Sequence, residues 1–137
     1  MLRRKLREAG LLEQVTFEPN LTFEAKIRFL HEISVFSVPA TSGEAFGLYV
    51  AEAQGCGLPV VQPRHGAFPE LIALTGGGIL CDPDDAVSLA DALQELLLDE
   101  SRRQALATLG RTQARIHFSA ERMAQNFERV LQSAASM

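Results

Sequence analysis

The sequence predicts an α/β fold in which helices flank a parallel β-sheet. Two observations support this fold class. Short, continuous apolar runs such as ISVFSVP at 33–39 and PVVQP at 59–63 are typical of strands that are covered on both faces. These runs alternate with amphipathic stretches that have helical spacing, which favours strand–helix–strand units. The 137 residues, 47% of them hydrophobic and 22% charged, fit one globular domain over 1–137.

Each element has its own signal. β-Branched and aromatic runs predict strands at 15–17, 33–39, 59–63 and 78–81. Apolar periodicity, caps and glycine stops predict helices at about 2–9, 22–32, 47–55 and 70–74, and three more that begin near 82, 101 and 119. Asn20 or Thr22 is expected to cap the second helix. The tail SAASM is expected to fray at the end of the last helix.

The three C-terminal helices have specific predicted caps and faces. Asp82 is expected to cap the first of them with Pro83 at its first position, and Ser101 with Gln104 forms a capping box for the second. The inward-facing residues are predicted to be Leu89, Leu93, Leu96 and Leu97, then Ala105, Leu109 and Ile116. The last helix carries an apolar stripe formed by Met123, Phe127, Val130 and Leu131.

Composition excludes several classes of function. A net charge of −4 argues against nucleic acid as a partner. No apolar run reaches the roughly 18–20 residues that a membrane-spanning helix needs, and no secretory signal is visible. Cys56 and Cys81 have no metal-site spacing and are interpreted as reduced thiols, which predicts a cytoplasmic protein. The acidic residues of 82–85 are interpreted as a helix cap, and no metal site is predicted.

The stretch 42–70 concentrates the polar residues that could carry chemistry. Glu44 and Glu52 lie eight positions apart across a loop-to-helix junction, with Gly47 at the start of the helix. The free N–H groups of a helix that begins there favour a phosphate or diphosphate, and a carboxylate can hold two vicinal hydroxyls. Spacing alone leaves alternatives open: Glu52 could be an ordinary, partly buried helix residue, and His65 could be structural or could contact a ligand.

The order of the motifs along the chain is more informative than any single residue. Glu44, Phe46-Gly47, Glu52-Ala53, Gly57-x-Pro59-Val60-Val61 and Gly66-x-x-Pro69-Glu70 follow one another at tight spacing. The chain resembles the C-terminal, donor-binding domain of GT-B retaining glycosyltransferases, the group with a Glu-x7-Glu motif. The resemblance implies a Rossmann-like domain that binds a UDP-, GDP- or ADP-sugar, needs no metal or other cofactor and transfers the sugar to an unknown acceptor.

The resemblance also implies roles for individual residues. Glu44 would contact hydroxyls of the donor sugar near the reacting carbon, and Glu52 would hold the ribose hydroxyls. The backbone at Phe46, Gly47 and Leu48 would bind the sugar and the diphosphate. His65 and Gly66, in the loop after 59–63, are further candidate contacts.

Parts of the resembling domain have no counterpart in the sequence. Its first strands, with the basic residues that bind the diphosphate, and the acceptor-binding domain have no match, so we expect a partial domain. The strand at 33–39 would then expose an edge, and we expect the sheet to close by re-pairing, by domain swapping or as a homodimer. The alternative function is a non-catalytic binding or oligomerisation module that associates through this edge or through the C-terminal helix.

Overall fold

The computed structural model describes residues 1–135, which form seven α-helices, a short 3₁₀ helix and a small parallel sheet. Residues 136 and 137 of the SAASM tail lie outside the described residues, while residues 133–135 continue the last helix. The helices are α1 (Leu2–Glu8), α2 (Phe23–Glu32), α3 (Leu48–Gly55), α4 (Phe68–Thr75), α5 (Ala86–Leu98), α6 (Glu100–Phe118) and α7 (Ala120–Ala135). The strands are β1 (Val60–Pro63) and β2 (Gly78–Cys81), and the 3₁₀ helix is Leu12–Gln14.

Strand β1 lies at the centre of the structure. It pairs in parallel with β2, with Val60 opposite Gly78 and Pro63 opposite Cys81. Successive side chains of a strand point to opposite faces, and both valines of β1 are fully buried. Val60 joins the core cluster formed with α2, α3 and α4, and Val61 joins the one formed with α5. Helices therefore flank both faces of the sheet, as an α/β fold requires.

The predicted strand at 33–39 is reduced to a single bridge between Phe36 and Val60. The amide of Phe36 donates to the carbonyl of Pro59 over 3.0 Å, and the amide of Val61 donates to the carbonyl of Phe36 over 2.9 Å. The ladder stops there because the next amide, that of Val38, donates to the side-chain Oε1 of Gln62 at 3.3 Å. Pro63 follows and has no N–H to offer.

The predicted strand at 15–17 is wrong, because among the described residues this segment pairs with no strand. It is extended, and the ring of Phe17 lies 4.0 Å from the guanidinium carbon of Arg3 in α1. β-Propensity alone does not make a strand without a neighbour to share its hydrogen bonds. The expected re-pairing of the sheet within the chain is therefore also wrong.

Two predicted helix starts are displaced because a different aspartate caps each helix. Asp85 caps α5 by accepting from the amides of Val87 and Ser88, whereas Pro83 and Asp84 form a turn before the helix. Asp84 has a φ of 57°, a left-handed conformation that ends any helix attempted from Asp82. Asp99, not Ser101, caps α6 by accepting from the amide of Arg102.

Helix α6 packs through small residues, which corrects its predicted inner face. Gly110 and Ala114 are buried, whereas the residues expected to face inward, Ala105, Leu109 and Ile116, are exposed. A Cβ on Gly110 would lie 2.8 Å from the Cα of Gly77, so the helix backbone approaches the turn before β2 directly. In α5, Leu96 is buried as predicted, but Leu97 is exposed and Ala92 takes the inner position.

We predict that Gly110→Ala destabilises the protein by about 1–3 kcal/mol, because the new methyl group meets backbone that cannot move aside. The matched control is Gly55→Ala, another helical glycine, where an added Cβ has no heavy atom within 4 Å. The control gains the same helix propensity, up to about 1 kcal/mol, without the clash. Urea unfolding of both variants measures the difference, and a Gly110→Ala protein as stable as the control would contradict the packing described.

Candidate functional site

The site is built around the N-terminus of α3. Gly47, the residue before the helix, is buried and has a left-handed φ of 81°. A Cβ at this position would lie 3.2 Å from the ring of Phe68 in α4. Glycine therefore lets the loop after 33–39 turn sharply into the helix while it passes close to α4. The first amides of α3, those of Leu48 and Tyr49, have no acceptor within the helix.

Glu44 lies at this helix terminus and is fixed at both carboxylate oxygens. Its Oε1 accepts from the amides of Phe46 at 3.0 Å and Gly47 at 2.6 Å. Its Oε2 accepts from the hydroxyl of Tyr49 at 2.7 Å. These bonds, that from Tyr49 first, lower the pKa of Glu44. The carboxylate is therefore ionised at neutral pH and points toward the free end of α3.

The second loop of the site, which runs over 64–67 between β1 and α4, is joined to the first. The amide of Ala67 donates to the carbonyl of Glu44 over 3.3 Å. Gly66 has a left-handed φ of 55°, and a Cβ there would lie only 2.5 Å from the same carbonyl oxygen. The structure thus brings Gly66 against the backbone of Glu44. His65 is half-buried beside them, and no side chain among the described residues bonds its imidazole.

Glu52 lies on α3 and faces α2. Its Oε1 is 2.9 Å from the Nζ of Lys26, and the two side chains are 35% and 37% exposed. Glu52 is thus a partly buried helix residue, the alternative that its spacing left open, and its partner is a lysine side chain. One turn earlier on the same helix is Tyr49, which links this carboxylate to the neighbourhood of Glu44. Glu44 and Glu52 therefore lie on either side of Tyr49.

A cavity of about 300 Å³ opens beside α3 at this place. Its lining residues come from the 15–21 segment, α2, the 33–39 segment and α3. They are Glu18, Leu21, Lys26, Phe29, Leu30, Phe36, Tyr49 and Glu52. The cavity combines apolar side chains with two carboxylates, a lysine and a phenol, a composition that suits a ligand with both a flat apolar part and hydroxyl groups.

Phe46 and Leu48 face away from this cavity or into open space. The ring of Phe46 meets that of Phe118 edge-on, with 5.6 Å between ring centroids. It lines a separate hollow of about 140 Å³ with Ala67 and Leu74. Leu48 is exposed. The backbone of these two residues therefore stays the predicted contact for a ligand at the α3 terminus.

Sequence reasoning missed two residues of the site, Tyr49 and Lys26. Tyr49 had a usable signal, because it stands five residues after Glu44 and three before Glu52, on the same helix face as the latter. Lys26 comes from another helix, and its pairing with Glu52 could not be read from spacing.

Among the described residues, no three His, Cys, Asp or Glu side chains come close enough to form a metal site. Two of the acidic residues at 82–85 have protein partners instead. Asp84 accepts from the hydroxyl of Thr41 at 2.9 Å, and Asp85 caps α5. None of the described helices is long and apolar enough to cross a membrane.

Sequence comparison relates the chain to glycosyltransferases. The family model described as "Glycosyl transferases group 1" matches residues 1–113. A GDP-mannose-dependent monoacylated alpha-(1-6)-phosphatidylinositol monomannoside mannosyltransferase of Corynebacterium glutamicum is 32% identical over 127 residues. The match covers 88% of this chain and 33% of that protein. The chain thus spans about a third of this relative's length.

Solved structures with the same fold are glycosyltransferase-type proteins of the GT-B class. Sucrose-phosphate synthase from Thermosynechococcus elongatus superimposes with a TM-score of 0.87 at 27% identity, over 98% of this chain and 34% of that one. Anabaena HepE in complex with UDP-glucose gives a TM-score of 0.83 at 26% identity, over 96% of this chain and 36% of that one. The fold is that of a Rossmann-like GT-B C-terminal domain, and the chain belongs to the glycosyl transferases group 1 family, whose named members are transferases.

Proposed function

We propose that this chain is the donor-binding part of a retaining glycosyltransferase, a nucleotide-sugar-binding domain over 1–137. The observation that carries the proposal is the row formed by Glu44, just before α3, and by Tyr49 and Glu52 on α3: Tyr49 bonds Glu44 and lines the same cavity as Glu52. The row runs from an open helix N-terminus to the 300 Å³ cavity. A nucleotide diphosphate sugar has the matching order of groups: sugar, diphosphate, ribose and base.

Each part of the donor has a candidate partner in this row. The free amides of Leu48 and Tyr49 at the start of α3 would bind the diphosphate. The backbone amides of Phe46 and Gly47 would act on the sugar through Glu44, to which both donate. Glu44 would accept from sugar hydroxyls, and Glu52 from the ribose hydroxyls. Gly66 would keep the second loop close to the sugar, and the unbonded imidazole of His65 would reach the sugar or the leaving phosphate.

The nucleotide is a UDP, GDP or ADP derivative. The HepE structure that resembles this fold contains UDP-glucose, and the Corynebacterium glutamicum relative is named as GDP-mannose-dependent. Both names support a nucleotide sugar as the donor. UDP and GDP are therefore the first nucleotides to test for binding. No metal takes part in the proposed site, so the α3 dipole and its amides would stabilise the negative charge of the departing diphosphate.

We predict that Glu52→Ala weakens nucleotide binding at least about tenfold, because the ribose hydroxyls lose an ionised acceptor. The Lys26–Glu52 pair is partly exposed, so its removal costs at most about 1 kcal/mol of folding stability. Calorimetric titration with UDP and GDP measures the loss.

The matched control is Glu95→Ala. Glu95 is also paired to a basic residue, Arg102, with a side chain 42% exposed, and it lies on α5, outside the lining of the cavity beside α3. Nucleotide affinity should stay at the wild-type value in this variant. Equal affinity in Glu52→Ala and Glu95→Ala would rule out the ribose contact.

We predict that Gly66→Ala weakens the binding of a nucleotide sugar by about tenfold, because the added Cβ forces the backbone of Glu44 to move. Gly10→Ala is the control: its φ is 68°, similarly left-handed, but nothing lies within 4 Å of an added Cβ. Both variants carry a backbone strain of about 1 kcal/mol. The clash with Glu44 is present only in Gly66→Ala, so calorimetry with UDP-glucose should show weaker binding in that variant alone. Equal binding by both variants would count against the arrangement of the two loops.

A second candidate function, a non-catalytic module that associates through α7, is favoured by the surface of that helix. Met123, Phe127, Val130 and Leu131 form one stripe and are 54–71% exposed. An apolar stripe of this kind is typical of an interaction surface. The partner that would cover this stripe is a second copy of the chain. The unpaired edge at 33–39 is the other candidate surface for self-association.

We predict that a double variant, Met123→Glu with Phe127→Glu, prevents self-association without loss of folding stability, because both side chains are already exposed. Sedimentation velocity over a range of concentrations measures the mass of the wild-type and variant proteins. A wild-type chain that remains monomeric at every concentration would exclude the α7 dimer, and an unchanged dimer in the variant would move the contact to the sheet edge.

A further inference from the structure

Tyr49 is held in a defined orientation by aromatic rings on both sides. Its ring centroid lies 6.3 Å from that of Phe36 and 6.3 Å from that of Phe68, with interplanar angles of 50° and 62°. Such tilted and edge-on contacts stabilise one placement of the ring. The hydroxyl of this fixed ring donates to the Oε2 of Glu44 over 2.7 Å.

The bonds that Glu44 already accepts limit how many ligand hydroxyls its carboxylate can bind. A carboxylate offers about four lone-pair positions, two on each oxygen. The amides of Phe46 and Gly47 occupy both positions on Oε1, and Tyr49 occupies one on Oε2. Oε2 therefore has room to accept from a ligand, in a direction set by the tyrosine.

We propose that Tyr49 is a positioning residue for the donor sugar, which holds Glu44 so that Oε2 accepts from one sugar hydroxyl. This inference rests on the proposed donor-binding function. Because the phenol also lines the cavity that contains Glu52, it separates the sugar end of the site from the nucleoside end. The tyrosine acts through Glu44 and needs no contact with the reacting carbon.

The protonation of the pair agrees with this role. Burial, and then the hydrogen bond and charge of Glu44, raise the pKa of Tyr49 to about 12. The phenol is therefore a neutral donor throughout the physiological pH range, while Glu44 is an ionised acceptor. The other charged groups that line the cavity are Glu18, Lys26 and Glu52.

The first test is the binding of UDP-glucose and of UDP to the Tyr49→Phe protein, measured by calorimetry. The phenylalanine keeps both ring contacts and removes only the hydroxyl. Binding of UDP-glucose should weaken by about tenfold, the effect of one lost hydrogen bond to a charged group, whereas binding of UDP should change less than about twofold. Thr112→Val, which removes an exposed hydroxyl from α6, is the control and should change neither.

The second test needs no ligand. Tyr49 is the only tyrosine of the chain, which contains no tryptophan, so tyrosinate absorbance reports this side chain alone. The wild-type phenol should titrate near 12, and Glu44→Gln should move that midpoint toward the ordinary tyrosine value of about 10. Far-UV circular dichroism at each pH identifies the range in which the chain is folded.

The outcomes distinguish the two proposals. Failure of the wild-type chain to bind any nucleotide would overturn the donor site and the inference that rests on it. Nucleotide binding with equal losses for UDP and UDP-glucose in Tyr49→Phe would overturn the inference alone, because a merely structural role weakens both. Identical tyrosine midpoints in the wild-type and Glu44→Gln proteins would also overturn it.

Discussion

The carboxylate of Glu44 bonds to the amides of Phe46 and Gly47, just before α3, and the position of each part of the site follows from that contact. The bonds to Phe46 and Gly47 require the loop to turn back on the helix, and the left-handed Gly47 makes this turn possible beside Phe68. The carbonyl of the same residue anchors the second loop through Ala67. Two loops that follow different strands are thereby joined at one residue.

The sheet that supports this contact is small, so its position depends strongly on close packing between backbones. Within residues 1–135, strand β1 has only β2 and a single bridge as neighbours, yet Val60 and Val61 place a core on each face. Gly110 allows α6 to lie directly against the turn at Gly77. Helix α6 thus supports the sheet from the side where α3 and α4 also pack, and α3 keeps its position relative to the strand ends.

The sequence predicted those parts of the structure that local signals determine. The start of α3 at Gly47 and the order of strands and helices from 48 onward followed from glycine, capping residues and apolar runs. Glu44 and Gly66 lie together because the segments before them, 33–39 and β1, run in parallel at the bridge between Phe36 and Val60. The prediction of a strand at 15–17 failed because strand formation depends on a neighbouring strand, which composition does not reveal. The prediction of the inner face of α6 failed because glycine and alanine carry little hydrophobic signal, although close packing between backbones needs these small residues.

Charge in the cavity explains why hydrogen bonds would dominate the proposed binding of a donor. The lining contains Glu18 and Glu52 against one cation, Lys26, which is already paired. Glu44 adds a further negative charge at the α3 terminus. A diphosphate that enters this environment meets carboxylates rather than a basic cluster, so the open amides of α3 and its dipole must supply the attraction. These amides act only at short range and in fixed directions. The conformation of Gly47 and the placement of Glu44 therefore matter more to the proposed function than the net charge of the domain does.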